Sequence, residues 1–532
     1  MADAVLVTKD AETWQPKFNP WLIAIVVALA AFMEVLDTSI ANVALPHMAG
    51  DLGASNDEST WVLTSYLVSN AIVLPISGWL AGLFGRRRFF LLCIFLFTVS
   101  SLLCGIAPSL SVLILFRVLQ GVGGGGLQPM AQAILADTFP PEKRGLAFAL
   151  YGITTITAPT IGPTLGGWLT DNYSWRWIFY INLPVGILTL YLVLRMVEDP
   201  PWLTRKDGAG VRVDYIGIGL LTLAVGALQI LLDKGQEEDW FGSHFIVALV
   251  AVSAVSFVLL VLWELHSEAP VIDVRMFESF NFAVASLMMF FLGVLLFSSL
   301  VMMPQFLQTL MGYTAQTAGL VLSGASLIIL FEMPIVGQLT TKIPAKYIMA
   351  FGWFCLAFGM YYSTKGLNLQ ISFQSASRLR MVQAFGLGFL FVPISLSAYI
   401  GVPPEKGNSV SGLVNFMRNI GSSVGTSMVT TTLARRAQFH QSTLSYHATN
   451  YDPAFRDQLN GLIGQLSHAG ATAPDAQAQA YGRLYQSLQV QAQTLAYIDT
   501  FKVLAVAAAV MFLLAFIVRK NDPATGGHVA VE

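Results

Sequence analysis

Apolar runs of about twenty residues, separated by short polar breaks, follow one another from Trp21 almost to the C-terminus. Each is long enough to cross ~30 Å of hydrocarbon as a helix rising about 1.5 Å per residue. The pattern predicts spanning helices near 21–45, 60–83, 89–107, 110–135, 146–170, 176–197, 214–232 and 243–263. A second series follows near 281–303, 315–340, 347–363, 376–401, 409–433 and 500–518. The chain therefore reads as an all-α polytopic membrane protein with fourteen transmembrane helices. Its N-terminus is polar up to Pro20, without the short apolar stretch and small-residue cleavage site of a signal peptide, so the first run is expected to be a retained helix.

An internal repeat divides these helices. PPEKRG at Pro140 recurs as PPEKG at Pro403, RxxQxxGxG at Arg117 recurs at Arg380, and PIxGxL at Pro75 recurs at Pro334. Repeats of this kind are the architecture of secondary transporters that rock around a central site. They predict two six-helix halves, 21–197 and 281–519, and an inserted pair of helices within 198–280, with 1–20 and 520–532 as short terminal segments. The first two repeats share one offset, and it exceeds the repeat unit by the length of that insertion. An even helix count puts both termini on one face. If that face is cytoplasmic, the inner loops hold Arg86, Arg87, Arg88, Lys143, Arg144, Arg205, Lys206 and Lys406, and the outer short loops hold very few basic residues, as the positive-inside rule requires. Segment 434–499 is then extracytoplasmic. It is polar, and its spacing at Leu459, Leu462, Ile463 and Leu466, and at Leu484 and Leu488, predicts short helices outside the membrane.

Composition narrows the function. Of 532 residues, 55% are hydrophobic and 11% charged, against about 25% charged in soluble domains. The net charge of −2 is spread over short loops and forms no basic face, which excludes nucleic acid as a partner. Cys93, Cys104 and Cys355 lie in apolar runs, are odd in number and lack CxxC spacing, so neither a disulfide framework nor a zinc site is expected. No GxxxxGK[ST] occurs and no Lys precedes Ser or Thr, so the chain has no P-loop. HExxH is also absent, and nothing points to an enzyme or a cofactor.

The chemistry that remains lies inside the spans. FMEVLDTSIANVALP, from Phe32, puts Glu34, Asp37 and Thr38 on one helical face. Ionisable groups at membrane depth are costly, and they mark ion or substrate pathways. Asp37 lies about 12 Å and Arg117 about 10 Å from the expected outer ends of their helices, a matching depth. A nearby Arg favours the carboxylate and desolvation favours the acid, so such a pair responds to water access and cargo. A static ion pair fixing helix register is the competing reading. GVGGGG, from Gly121, satisfies GxGxxG, but it has no preceding strand and lies in a span, where small residues serve close helix approach. APTIGPTLGG, from Ala158, reads either as packing or as a flexible interface controlling proton leak. Glu332 is an acid well inside its span. It either lines the cavity and favours cations or pairs with Arg418, at comparable depth.

These residues resemble the fourteen-helix drug:proton antiporters of the major facilitator superfamily, and within it the EmrB type. The likeness rests on LDTSIANVALP from Leu36, GWLAGLFGRRR from Gly78, RVLQGVGGGG from Arg117, APTIGPTLGGW from Ala158, WRWIFYINLPVG from Trp175 and SGLVNFMRNIGSSVGTS from Ser411. It implies the major facilitator fold and a proton-coupled exporter of lipophilic or amphipathic toxic compounds in a bacterial inner membrane, with both termini cytoplasmic. Asp37 would couple to protons, with Arg117 as its switch and Glu34 as an accessory. Thr38, Asn42, Gln120, Glu332, Asn415 and Arg418 are the candidate cavity residues. Gly162, Pro163, Gly166 and Gly167 match the antiporter motif, and Gly78, Gly85, Arg86 and Arg87 match the cytoplasmic loop motif. That loop departs from the family at Gly82, usually acidic, and Leu83, usually basic, which puts its charge relay in doubt. The resemblance also suggests that segment 434–499 docks an EmrA-like periplasmic adaptor joined to an outer-membrane channel. An exporter or importer of one metabolite or lipid is the alternative on the same fold, and a receptor that has lost transport is a third class.

Overall fold

The computed structural model describes residues 16–201, 213–449 and 451–518. Arg205 and Lys206, residues 1–15 and the tail 520–532 lie outside this set. Among the described residues there are helices and turns and no strand. Helices stand at all fourteen predicted positions. The first series is α1 (Pro20–Leu52), α2 (Trp61–Phe84), α3 (Arg86–Gly105), a broken fourth span α4 (Leu110–Gly124) and α5 (Leu127–Thr138), α6 (Pro141–Asn172) and α7 (Asn182–Met196). Next come α8 (Tyr215–Lys234), α9 (His244–His266), α10 (Phe280–Thr309), α11 (Ala315–Leu339), α12 (Ala345–Gly366), α13 (Phe373–Ala398) and α14 (Gly407–Ser445). The chain ends with α15 (Pro453–His468) and α16 (Ala473–Ala515).

Twelve of these spans are long and apolar enough to cross a membrane on those grounds alone. The other two, α12 and α14, fall short in mean hydropathy for different reasons. α12 carries Tyr347, Tyr361, Tyr362, Lys346 and Lys365, and α14 carries the buried polar residues Asn408, Asn415 and Arg418.

Small residues set the helix spacing. A Cβ at Gly123 would lie 2.6 Å from the Phe97 nitrogen, and one at Gly125 would lie 2.7 Å from the Asn70 carbonyl, so the glycine run lets the fourth span lie close against α2 and α3. α1 packs on α6, α10 on α14, and α12 on α13 and α16. Two seams join the early helices to the late ones, α2 with α14 and α6 with α11. Both are tight at the end that carries Arg86. There a Cβ at Gly78 would lie 2.8 Å from Ser409 Cα, and one at Gly337 would lie 2.8 Å from the Gly145 carbonyl.

α8 and α9 form a hairpin over the α2/α14 seam. Thr64 of α2 bonds to Asp233 of α8, and Lys234 donates to Thr60 Oγ1 at 2.5 Å. On the other side Gln229 Nε2 donates to Ser423 Oγ at 2.8 Å, and Trp240 Nε1 donates to Thr431 Oγ1 at 3.1 Å. The hairpin is thus held to both sides of the seam.

At the end opposite Arg86 the expectation of separate short helices is corrected. α14 continues unbroken to Ser445, α16 starts as early as Ala473, and only α15 is short. No proline interrupts the sequence between Gly407 and Ser445, or between Pro474 at the start of α16 and Ala515. Helices once nucleated propagate through such sequence. α15 folds back on α16 through Leu459 and Leu466 against Ala476 and Ala480. Asp499 ties the base of this projection together. It accepts from Arg436 at 2.5 Å and Lys502 at 3.0 Å, with His440 Nε2 2.7 Å away.

Candidate functional site

Asp37 is the hub of a buried cluster built from four helices. α1 supplies the carboxylate and the fourth span supplies Arg117 and Gln120, one turn apart and so on one face. Asn182 comes from the first turn of α7, and α2 contributes the backbone. Arg117 Nη1 donates to Asp37 Oδ2 at 2.6 Å, and both side chains are buried. Oδ1 accepts from Gln120 Nε2 at 3.0 Å and from Asn182 Nδ2 at 2.7 Å. Arg117 also donates to the Val62 carbonyl at 3.1 Å and to Gln120 Oε1 at 2.8 Å. These added bonds offset part of the cost of removing the ion pair from water, although Arg117 Nη2 is left without a partner.

A second cluster begins one turn away at Glu34 and is connected to the first by Tyr66. The Tyr66 ring lies 4.2 Å from the Arg117 guanidinium carbon, and its hydroxyl donates to Glu34 Oε1 at 3.1 Å. Asn70 donates to the same oxygen at 3.0 Å, and Gln128 Nε2 donates to the other. Gln128 Oε1 in turn accepts from Arg418 of α14 and from Tyr151 at 3.3 Å. One polar chain therefore runs Asp37, Arg117, Tyr66, Glu34, Gln128, Arg418, and it crosses from the early helices to the late ones. Asn415 makes a parallel crossing, donating to Gln132 Oε1 at 2.6 Å.

The remaining residues singled out from sequence fall in several places. Thr38 donates back to the Glu34 carbonyl at 3.2 Å, and Asn42 is exposed. Gly162 and Gly166 face Ser39 and Ile40 of α1, where a Cβ would collide, whereas a Cβ at Gly167 meets nothing within 4 Å. Pro163 lies inside α6. Gly85 has φ of 86°, a backbone that favours glycine, between α2 and α3. Arg87 donates its backbone N–H to Asp199 at 2.8 Å. Arg86 is buried in an ion pair with Asp137 and donates from Nε to Asn408 Oδ1 at 2.7 Å. A charge latch thus exists despite Gly82 and Leu83, made with residues on the fourth span and α14. For Glu332 the expected pairing with Arg418 is corrected. It is not bonded to Arg418, which goes to Gln128; its carboxylate lies against Gly388 of α13 and has no protein hydrogen-bond donor.

Sequence reasoning missed Tyr66, Asn70, Gln128, Asn182, Asp137 and Asn408. The first four are isolated polar residues in apolar runs, the same signal that marked Asp37. Asp137 and Asn408 flank the repeated PPEK motif, which the repeat could have picked out.

A fold of this kind with charge clusters in its core belongs to a class of membrane transporters, and comparison with known proteins defines which. The sequence profile of the Major Facilitator Superfamily matches residues 27–426. "Multidrug export protein EmrB" of Haemophilus influenzae is 40% identical over 442 residues, covering 82% of this chain and 86% of the relative. The protein of the same name from Escherichia coli K12 is 35% identical, covering 95% and 96%. In fold the chain is similar to the human organic anion transporter MFSD10 (TM-score 0.56, 13% identity), covering 94% of this chain and all of that one. The chain belongs to the Major Facilitator Superfamily and, within it, to the EmrB-type proteins, and it is a multi-pass membrane protein.

The Gln128 relay gives a direct test of the geometry. Replacing its amide by an isosteric apolar group, Gln128→Leu, leaves Glu34 short of one donor and Arg418 without its acceptor. Each unsatisfied group should cost about 1–3 kcal/mol. We expect a lower thermal midpoint in detergent and at least tenfold weaker transport, and Gln128→Glu, which can accept from Arg418 but sets a second carboxyl against Glu34, should not recover the midpoint. An unchanged midpoint in Gln128→Leu would refute the relay.

Proposed function

We propose that this chain is a proton-coupled antiporter that exports lipophilic or amphipathic toxic compounds by alternating access between halves 21–197 and 281–519. The inserted pair within 198–280 bridges them. The observation that carries the reading is the Asp37 cluster: a carboxylate inside the bundle held by one guanidinium and two amides, with a polar chain leading from it to the opposite half. The relatives are multidrug export proteins by name, which supports the cargo class. As a transporter the chain needs no catalytic residue.

The cycle follows from the geometry. Protonation of Asp37 removes the charge that holds Arg117 and frees the guanidinium to adjust over Tyr66. Tyr66 also holds Glu34, so the change reaches Gln128 and Arg418 and loosens the link between halves. Loss of the proton on the opposite side restores the ion pair and resets the link. Arg86, with Asp137 and Asn408, latches one end of the bundle while the other opens. Cargo enters between the halves from the cytoplasm or the inner leaflet, and Thr38, Asn42, Asn415 and Arg418 are the polar groups available to orient it.

The membrane is the bacterial inner membrane. The Lys/Arg asymmetry supports cytoplasmic termini and a cytoplasmic Arg86 end, with 434–499 on the other side. There α14 and α16, 39 and 43 residues long, would measure about 58 and 64 Å, well beyond a ~30 Å hydrocarbon core. Tyr446 and Tyr451 stand exposed on the projection. Such a surface suits an EmrA-like periplasmic adaptor joined to an outer-membrane channel.

Coupling is tested by cargo-induced proton release from purified protein. Asp37→Asn should express normally and release none, and Arg117→Ala should shift the pH dependence of release; full release from Asp37→Asn would move coupling to Glu34 or Glu332. Orientation is checked with an impermeant thiol reagent on spheroplasts: a cysteine at Ser442 should label and one at Gly85 should not. For the adaptor, a flexible linker in place of 451–489 should keep proton-coupled uptake in inverted vesicles and abolish resistance in whole cells. Full cellular resistance with the linker would remove the docking role.

A further inference from the structure

The two halves carry the same buried Arg–Gln pair, and only one of them answers it with an acid. Arg380 and Gln383 lie 263 positions after Arg117 and Gln120 (380 − 117; 383 − 120). The geometry repeats as well. Arg380 Nη1 donates to Gln383 Oε1 at 3.0 Å, as Arg117 Nη1 donates to Gln120 Oε1 at 2.8 Å. In the first half the same nitrogen reaches Asp37 on α1, 80 residues earlier; in the second it reaches Ser299 Oγ on α10 at 2.8 Å, 81 residues earlier. Ser299 stands where Asp37 stands, with a neutral hydroxyl in place of a carboxylate.

The substitution leaves a charge without a counter-charge. Arg380 is 1% exposed, its Nε has no protein acceptor, and among the described residues it takes part in no ion pair. Glu332 of the same half does not serve, because it lies against Gly388, eight residues further along α13. Arg keeps its charge in proteins, and an isolated buried charge is strongly disfavoured. The guanidinium also presents a fork of donors suited to a carboxylate, and its Nε is a buried donor with no protein acceptor. Around Ser299, α10 is buried and apolar, with Leu295, Leu296, Met302 and Met303. Methionine-rich surfaces adapt to irregular apolar chains.

We propose that Arg380, with Gln383 and Ser299, is a second cargo site that takes the carboxylate of an anionic amphiphile and seats its apolar tail along α10. The acid that the first half carries in its own sequence is supplied to the second half by the cargo. Entry requires α10 and α13 to part, so the site is reached during the transport cycle and is closed between visits. This inference rests on the exporter reading for its biological meaning. Its test measures binding alone, so the failure of one is distinguishable from the failure of the other.

Binding of dodecanoate, dodecanol and dodecyltrimethylammonium to the full chain in zwitterionic nanodiscs separates the charge from the tail. Arg380→Gln should weaken dodecanoate at least tenfold and leave the other two within twofold, while Arg380→Lys keeps most of the dodecanoate affinity. Ser299→Asp provides an independent arm if Arg380→Gln fails to fold. By installing the acid of the first half it should displace dodecanoate at least tenfold and spare the other probes. Equal losses for all three probes, or dodecanoate binding indifferent to Arg380→Gln and Ser299→Asp, would overturn the proposal. Chloride that stabilises the native chain but not Arg380→Gln, with no effect of dodecanoate, would assign the charge to an inorganic anion and end the cargo reading.

Discussion

A charge placed in hydrocarbon has to be answered, and most of the polar architecture here is a set of answers. Asp37 and Arg117 answer each other, Gln120 and Asn182 donate to the other carboxylate oxygen, and the Val62 carbonyl takes Arg117 Nε, which leaves Arg117 Nη2 without a partner. Glu34 has no cation in direct contact and is held by Tyr66, Asn70 and Gln128. Arg86 takes Asp137 and Asn408. These groups come from different helices, so satisfying each charge also fixes how the helices stand. A proton added to or removed from any one of them is therefore a mechanical event as well as an electrostatic one.

The same requirement explains why two halves with a common sequence pattern differ in use. Both contain the RxxQxxGxG helix, and both close its Arg on its Gln. In the first half the acid is covalently part of the chain, which suits the proton-coupling role proposed for Asp37. The second half has a serine at that place, and its Arg and Glu332 are buried apart. Divergence after duplication thus shows most clearly in which charges kept their partners.

The fold was largely legible in the sequence, because helix-length apolar runs are the strongest signal a membrane protein gives and the glycine runs named the close contacts. Asp37 and Arg117 were legible for the same reason: charge in an apolar run stands out. Neutral amides and hydroxyls stand out far less, so Gln128, Asn182 and Tyr66 escaped notice although they carry the connection between the charged groups. Glu332 was legible as an unusual residue, but its neighbour was not. Whether it met Arg418 or Gly388 depends on the rotation of α11 about its axis, which packing decides and hydropathy does not record. The lengths of α14 and α16 were missed because polarity after residue 433 signals the end of an apolar span, and a helix can continue past the end of such a span.

That continuity makes each of the two long helices a lever. A rod of about 58 Å that tilts by about 10° about its inner end moves its far tip by about 10 Å, with no joint in between to absorb the swing. The clasp at Asp499 holds the two rods at the level where they leave the bundle, so they swing together. A rearrangement of a few ångströms around the buried charges, were it to tilt these rods, would be enlarged into a displacement on the scale of a helix diameter at the exposed tip.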